Sequence, residues 1–144
     1  MIKLEIIGKP IAKKRPKFAR RGRHVCTYSD QKTDEGRFLL QCMDVFHDKA
    51  PMEGALEVNM IFVFERPKSH FGTGRNEGVL KKTAPKFHTK KPDIDNLEKF
   101  AADCLNKLAW KDDSQIIISK TMKLYGQVAK TKIEIKQIKE EKYG

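Results

Sequence analysis

Residues 91–116, KPDIDNLEKFAADCLNKLAWKDDSQI, place an amphipathic helix between two groups of carboxylates. Apolar residues recur in this stretch at the spacing of one helix face: Leu97, Ala101, Cys104, Leu105 and Leu108. We therefore predict a helix over residues 95–108, with Asp93 and Asp95 at its start and Asp112 and Asp113 just beyond its end. Acid concentrated in one place in an otherwise basic chain is typical of a metal-dependent enzyme that acts on a polyanion.

The hydrophobic pattern on either side of this helix predicts a sheet. Apolar and charged residues alternate over residues 2–6, which is typical of a half-buried strand. Residues 56–64 are apolar on one face and then on both, which is typical of a central strand. Further extended segments are expected at about 25–28, 115–124 and 131–137.

A second principal helix is expected to begin at Ser29 or Asp30, either of which is a suitable N-cap, and to end near His47. Its predicted buried face carries Leu39, Leu40, Cys42, Met43 and Phe46. The element order β, β, α, β, α, β, β predicts an α/β (α+β) fold, in which a small mixed β-sheet packs against two principal helices.

Length and composition limit the class of protein. The 144 residues, 39% hydrophobic and 34% charged, are enough for one domain spanning residues 1–144. The apolar runs are too short to cross a bilayer and residues 1–10 lack a signal-peptide pattern, so we expect an unprocessed cytoplasmic protein with no membrane partner. Cys26, Cys42 and Cys104 have no CxxC spacing and are expected to be small buried hydrophobes.

The formal net charge of +11 favours nucleic acid as a partner. Positive charge is concentrated in a basic arm at about residues 9–24, which contains no acid, and in a long basic loop at about residues 66–92. A loop of that length in a small domain is typically functional or mobile. The residues expected to contact DNA are Lys13, Lys14, Arg15, Lys17, Arg20, Arg21, Arg23, Lys90, Lys91 and Lys120.

Asp93 and Asp95 are the first candidate metal ligands. Their side chains can project to the same side of an extended segment after Pro92, where a cation would offset their repulsion. Mg²⁺ takes one or two carboxylates together with phosphate oxygens and water. A third ligand from the Asp112–Asp113 pair must overcome a helix roughly 20 Å long. Either the chain runs back along that helix, or the acids of one subunit face those of another.

The acidic residues also have structural explanations. Asp95 could be the helix N-cap, with Glu98 completing a capping box, and Asp112–Asp113 could be a solvated turn. Lys99, one turn after Asp95, could neutralise a carboxylate or a phosphate, or form only a helical ion pair.

Two other polar positions are open to more than one interpretation. Asp103 is expected to be structural, bonded to a neighbouring loop. Lys120 interrupts an apolar face, so it either turns outwards at a bulge or reaches into a cleft. Three aromatic residues, Phe18, Phe71 and Phe87, could stack at a DNA branch point, although core packing is the ordinary fate of such side chains.

With Lys120 following it, the stretch 91–116 resembles the signature of the RusA family of Holliday-junction resolvases, which are small prophage-associated endodeoxyribonucleases. Residues 8–18, GKPIAKKRPKF, resemble that family's basic N-terminal segment. The strand at 56–64 followed by RPKSHF also fits the family. One position departs from it: some members carry a basic residue directly before the first aspartate, where this chain has Pro92 preceded by Lys91.

The resemblance implies that Asp93, Asp95 and Asp113 are the catalytic carboxylates and metal ligands, and that Lys99 is the essential lysine. It also implies a two-fold homodimer, dependence on Mg²⁺ or Mn²⁺, and paired symmetric nicking of four-way DNA junctions in recombination and repair. Asp112, Asn96 and Asp103 are then supporting residues.

Two other functions fit part of the sequence. A non-catalytic basic DNA- or RNA-binding protein would use the acids only as caps and turns, and EDTA would not change its binding. A glycosyl- or nucleotidyl-transferring enzyme could use the DxD of Asp93 and Asp95, but no nucleotide-cradling glycine loop lies near those residues.

Overall fold

The computed structural model describes residues 1–14, 17–22, 24–28 and 31–142, with the backbone alone described for 17–21, 24–28 and residue 142. Ser29 and Asp30, the predicted N-caps of the first helix, lie outside these residues, and the N-cap that the structure gives this helix is Gln31, so that prediction is wrong. The predicted DNA contacts Arg15 and Arg23 also lie outside the described residues. No helix within the described ranges combines the length and the apolar character that a membrane span needs.

The described chain forms six strands and two α-helices. In chain order they are β1 (Ile2–Ile7), β2 (Lys17–Arg21), β3 (His24–Tyr28), α1 (Lys32–Phe46), β4 (Leu56–Glu65), α2 (Ile94–Leu105), β5 (Ile116–Gly126) and β6 (Lys130–Gln137). Four strands form one sheet in the order β1-β6-β4-β5. Only β4 and β5 are parallel, and the other neighbours are antiparallel. The predicted mixed sheet with two principal helices is confirmed.

Strand β4 is the centre of the core, as its apolar sequence predicts. Its alternate residues are buried on the face that the helices cover, namely Leu56, Val58, Met60, Phe62 and Phe64. Val63 on the opposite face is buried as well, so the strand is enclosed on both faces at its far end. Neighbouring β6 adds Ile133 and Ile135, which lie directly opposite Met60 and Val58. Burial of cross-strand apolar pairs of this kind is what stabilises such a sheet.

Helix α2 buries the predicted stripe and ends earlier than predicted. Leu97, Ala101, Cys104 and Leu105 are all buried, whereas Leu108 lies beyond the helix. The helix ends at Leu105 because the backbone turns at Lys107, whose φ of 70° is left-handed. That turn is closed by a hydrogen bond from the Lys107 amide to the Trp110 carbonyl, and it brings the indole of Trp110 into the core with no exposed surface.

The buried face of α1 differs from the predicted one. Phe38, Cys42 and Phe46, spaced four residues apart, are buried, whereas Leu40 is 70% exposed and Met43 is 55% exposed. The rings of Phe38 and Phe100 meet edge to face at 5.9 Å between centroids, and this contact fixes which side of α1 faces α2.

The basic arm contains a strand that the sequence pattern did not predict. Residues 17–21 pair with 24–28 as an antiparallel two-stranded sheet, with Gly22 at a φ of 61° in the turn. The predicted extended piece at 25–28 is therefore the second half of a hairpin. The prediction missed its first half because residues 17–21 are mainly basic and carry no apolar alternation.

We predict that Leu97→Ala destabilises the protein by about 2–5 kcal/mol, because it opens a cavity where a fully buried side chain contacts the core. Leu40→Ala is the matched control: the same side-chain atoms are removed from an exposed position of α1, so its effect should stay within about 0.5 kcal/mol. Urea unfolding followed by circular dichroism measures both. Equal losses of stability in the two variants would contradict the assigned core.

Candidate active site

Asp93 and Asp95 lie at the beginning of α2, at the place where the long basic loop ends. Asp93 is the N-cap residue, in extended conformation, and its side chain makes no capping hydrogen bond. Asp95 lies in the first turn, where its Oδ1 accepts from the Asn96 amide at 2.9 Å. The interpretation of Asp95 as N-cap with a capping box is therefore wrong. Glu98 instead accepts a hydrogen bond from the Ser119 hydroxyl of β5.

Both aspartates line an open pocket of about 630 Å³ whose far wall is the middle of β5. Thr121, Met122 and Lys123 form that wall, and residues 87–89 of the long loop form another side. Among the described residues, no cation lies within ion-pairing distance of either carboxylate. The pocket thus presents two carboxylates that form no ion pair with any residue of the described ranges.

The ammonium of Lys123 holds the loop in place beside the aspartates. Its Nζ donates to the carbonyl oxygens of Lys90 and Pro92, at 2.6 and 2.8 Å. These carbonyls belong to the segment that directly precedes Asp93, so the last residues of the loop are bound to β5. Lys123 therefore fixes the backbone that leads into Asp93.

Lys99 is exposed on α2, one turn after Asp95, and within the described ranges it forms no ion pair. The helical pair with Asp95, which is the structural explanation of this lysine, is not formed. Its ammonium is therefore free to meet an anion that enters on this side of the helix.

Asp112 and Asp113 have separate local roles at the start of β5. Asp112 forms a capping box with Gln115: its Oδ2 accepts from the Ser114 amide, and its own amide donates to the Gln115 side chain. The hydrogen bonds from Ser114 lower the pKa of Asp112 below its usual value. Asp113 is half-buried, and its Oδ1 accepts from the indole Nε1 of Trp110 at 2.7 Å.

The carboxylates at the two ends of α2 stay apart within one chain. Strand β5 does run back along the helix, as the contact between Glu98 and Ser119 shows. Asp113, however, precedes the strand, whereas Asp93 and Asp95 face residues 121–123. At about 3.3 Å per residue, this separates the two groups by on the order of 20 Å. In the part of the chain that the structure describes, no group of three or more acids, histidines or cysteines is close enough to hold a metal ion.

A comparison with protein-family models finds a match: the model of Endodeoxyribonuclease RusA covers residues 8–136 of the chain. The chain belongs to the RusA family. A Bacillus subtilis (strain 168) protein carrying the name "Uncharacterized protein YqaN" is 26% identical to it over 138 residues, which is 95% of this chain and 96% of that protein. The matched region includes the basic arm, both aspartate pairs and Lys120 of this RusA-family chain.

The predicted basic and supporting residues are divided between inward and exposed positions. Lys13 is turned inwards: its Nζ lies 3.1 Å from Asp103 and 4.0 Å from Glu35, while its amide donates to the Asn96 carbonyl. Asp103 and Asn96 thus tie the first part of the arm to α2. Four predicted contacts are exposed, namely Lys14, Lys90, Lys91 and Lys120. The side chains of Lys17, Arg20 and Arg21 lie outside the described part.

Lys120 lies on the sheet face that the helices leave open, with its side chain 74% exposed and 3.9 Å from Glu57. The strand pairing skips Ile117 between the first two pairs of β4 and β5, which is the bulge proposed for this region. Lys120 then pairs with Asn59 and alternates with Thr121, so it points away from the pocket of Asp93 and Asp95. Of its two interpretations, the outward position is confirmed.

His88 is a buried residue of the site that the sequence did not single out. Its ring stacks on Phe64 at 3.9 Å and meets Tyr125 at 5.0 Å, and it lines the aspartate pocket. Burial, with Lys123 and Lys90 nearby, lowers the pKa of His88 below its ordinary value. His88 is isolated among lysines and belongs to no periodic pattern or motif, so only its tertiary contacts reveal it.

The described cysteines are buried and unpaired, as predicted. Burial raises the pKa of the Cys42 thiol to about 11 and that of Cys104 to about 12, so both are neutral at physiological pH. The side chain of Cys26 lies outside the described part.

We predict that Asp113→Ala costs about 1–3 kcal/mol of stability, because it leaves the buried Trp110 indole N–H without its acceptor. Asp113→Asn retains an Oδ1 acceptor and should stay near the wild-type stability. Asp44→Ala, which removes an exposed aspartate of α1, is the control and should be close to neutral. Chemical unfolding compares the three variants. The bond to Trp110 is refuted as a stabilising contact if Asp113→Ala and Asp113→Asn prove equally stable.

Proposed function

We propose that this RusA-family chain is a divalent-metal-dependent endodeoxyribonuclease that resolves four-way DNA junctions by paired, symmetric nicks. The observation that carries the proposal is the pair of unneutralised carboxylates, Asp93 and Asp95, in an open pocket of a protein with a net charge of +11. Two unpaired acids would repel both each other and DNA unless a cation lay between them. Family membership supplies the class of substrate.

The donor set of the pocket fits a hard divalent cation. Mg²⁺ takes carboxylate and phosphate oxygens and retains several waters, and Mn²⁺ accepts the same oxygen donors. Asp93 and Asp95 would hold the ion, with Asp113 as the third carboxylate. When bound, such an ion lowers the pKa of a coordinated water and draws charge from a non-bridging phosphate oxygen.

Lys99 and Lys123 would have two further roles, the stabilisation of negative charge and the positioning of a metal ligand. The free ammonium of Lys99 would stabilise negative charge that develops on the phosphate as the phosphodiester bond breaks. Lys123, which is held by the Lys90 and Pro92 carbonyls, would keep Asp93 in position. The chain thereby supplies a charge-stabilising group and a rigid attachment for its ligands.

A homodimer would bring Asp113 to the other two carboxylates. The separation of on the order of 20 Å within one chain leaves the second route, in which the partner's Asp113 joins Asp93 and Asp95. Strand β5 is an edge strand of the sheet. Its second half is already covered by residues 86–88, since the amides of His88 and Tyr125 bond to the Lys123 and Lys86 carbonyls. Its first half is free for another strand among the described residues.

The free first half of β5 suggests where a two-fold axis would lie. Two copies of β5 paired antiparallel would set Asp113 of one copy opposite Met122 of the other if the axis passed between Ile117 and Ile118. Ile117 is 59% exposed in the single chain, and such an axis would bury it against the partner. Both sites would then form together, one on each side of the axis.

A dimer of this kind would match the symmetry of a four-way junction, presenting one site to each of two opposed strands. The exposed lysines Lys14, Lys90, Lys91 and Lys120, with the basic arm, would hold the phosphate backbone. Phe87 is half-exposed at the edge of the aspartate pocket and is available to stack on an unpaired base there.

We predict that Asp95→Asn abolishes cleavage of a synthetic four-way junction in Mg²⁺ while junction binding is retained, because the substitution removes a metal-binding charge and no contact with another element. Asp44→Asn, an exposed aspartate of α1, is the control and should cut normally. Gel analysis of labelled junction, linear duplex and flap, with and without EDTA, measures both variants. Undiminished cutting by Asp95→Asn would remove this residue from the site. Binding without any cutting by the wild type would favour the non-catalytic DNA-binding protein.

We predict that two inactive variants, Asp95→Asn and Asp113→Asn, regain nicking when they are mixed and allowed to exchange subunits. A shared site leaves one intact site in each mixed dimer, so nicking should return to about a quarter of the wild-type level at equal amounts. If all three carboxylates acted within one chain, every site in the mixture would lack one ligand and no activity would return. A co-expressed pair with different affinity tags isolates the mixed dimer.

A further inference from the structure

A second pocket lies next to the aspartate pocket, at the ends of β4 and β5. It has a volume of about 410 Å³, and its charged lining consists of three lysines and one acid: Lys9, Lys90, Lys91 and Glu65. His88 lines both this pocket and the one that holds Asp93 and Asp95. The two pockets are thus neighbours that share this residue.

His88 gives the lysine pocket a rigid wall with an unused polar atom. The residue is only 8% exposed, and its Nδ1 is buried with no hydrogen-bond partner among the described residues. The ring cannot swing away, because Phe64 stacks on it at 3.9 Å and Tyr125 packs at 5.0 Å.

The wall behind Tyr125 is also fixed and adds positive charge. The Arg66 guanidinium lies 5.5 Å from the centre of the Tyr125 ring and donates to the Pro85 carbonyl at 2.7 Å. His70 meets the same ring edge-on at 4.7 Å, and its Nδ1 lies 3.3 Å from Nη1 of Arg66. Arg66 does not line the pocket itself, but it holds a positive charge beside one of the lining residues, Tyr125.

The charges around this pocket select an anion. The lining contains three lysines and one glutamate. The ammonium of Lys123 is also held nearby by the Lys90 and Pro92 carbonyls. Lys123 and Lys90 also contribute, after burial, to the lowered pKa of His88, as a positive potential would. Lys9 comes from the beginning of the basic arm, whereas Lys90 and Lys91 come from the long loop, so the fold assembles the group from two segments.

We propose that the pocket of Lys9, Lys90 and Lys91 binds one backbone phosphate of the DNA strand whose neighbouring phosphate lies at Asp93 and Asp95. The inference rests on the proposed function and deepens it, since the lysine pocket determines which phosphodiester reaches the carboxylates. Successive phosphates of one strand would pass on either side of His88. Lys9 is thereby a strand-positioning residue.

Junction binding by the double variant Lys9→Ala/Lys91→Ala tests this proposal. The matched control is Lys49→Ala/Lys139→Ala, which removes the same charge from two exposed positions outside the pocket. Both are made in the non-cutting Asp95→Asn protein, and affinity is measured by fluorescence anisotropy over a range of salt. Loss of one phosphate contact should weaken binding roughly tenfold at 0.1 M salt and reduce the salt slope by about 0.9, while the control changes little. Identical slopes in the pocket and control variants would overturn the proposal.

A chemical probe of the DNA locates the contact. Junctions carrying one uncharged methylphosphonate, moved a single position at a time along a strand, should bind the Asp95→Asn protein poorly when the neutral group lies in the lysine pocket. The Lys9→Ala/Lys91→Ala variant should be indifferent at that position. If the two proteins respond alike at every position, no backbone phosphate occupies the pocket.

Inorganic phosphate separates a DNA contact from a site for a free anion. The imidazole NMR signals of His88 are followed during phosphate titration at constant ionic strength. A saturating shift, together with a methylphosphonate series that has no sensitive position, would assign the pocket to a free anion and overturn the DNA assignment. These are binding measurements on a non-cutting protein, so a wild type that failed to cut would refute the proposed function without deciding this question.

Discussion

The parallel pairing of β4 and β5 is the constraint on which the rest of the site depends. Two parallel neighbours require a crossover connection, and the second half of that crossover is α2. The helix must lie back along β5 to cover the sheet, as its contact between Glu98 and Ser119 shows. Its first turn then meets the middle of β5, and the chain that leaves it returns to the start of the strand. One pairing thereby positions both groups of aspartates.

The long basic loop is fixed by the same strand. Residues 86–88 extend the edge of β5, and Lys123 binds two carbonyls of the segment that enters α2. A strongly basic loop is ordinarily repelled from a fixed position by its own charge, and here backbone hydrogen bonds and buried aromatic contacts oppose that repulsion. The result is an acidic pocket and a basic pocket that share His88 in their linings. The metal-dependent nuclease proposed here would need both signs of charge close together, since it would hold a cation and a polyanion at once.

Some elements could be predicted from the sequence because their signals are local. The apolar stripe of α2 and the apolar run of β4 each contain more apolar residues than a surface element carries. The bounds predicted for both elements therefore agree with the structure to within a few residues. Other elements follow from contacts that no local pattern contains. Two adjacent apolar stripes compete on α1, and the contact between Phe38 and Phe100 selects the one that excludes Leu40. Strand β2 forms by pairing with β3, and its basic residues show no alternation of apolar and polar side chains that would predict a strand.

The sequence by itself determined the pattern on which the proposed chemistry rests: a DxD at a helix start, a lysine one turn later, and a large positive charge, as in the RusA family. Those properties are local, so spacing and composition are enough to find them. The tertiary structure alone decided how far apart the acids lie, because that distance depends on which residues of β4 and β5 are paired. It also decided that His88 is buried between Phe64 and Tyr125, since burial is a property of the whole packed core and not of the residue.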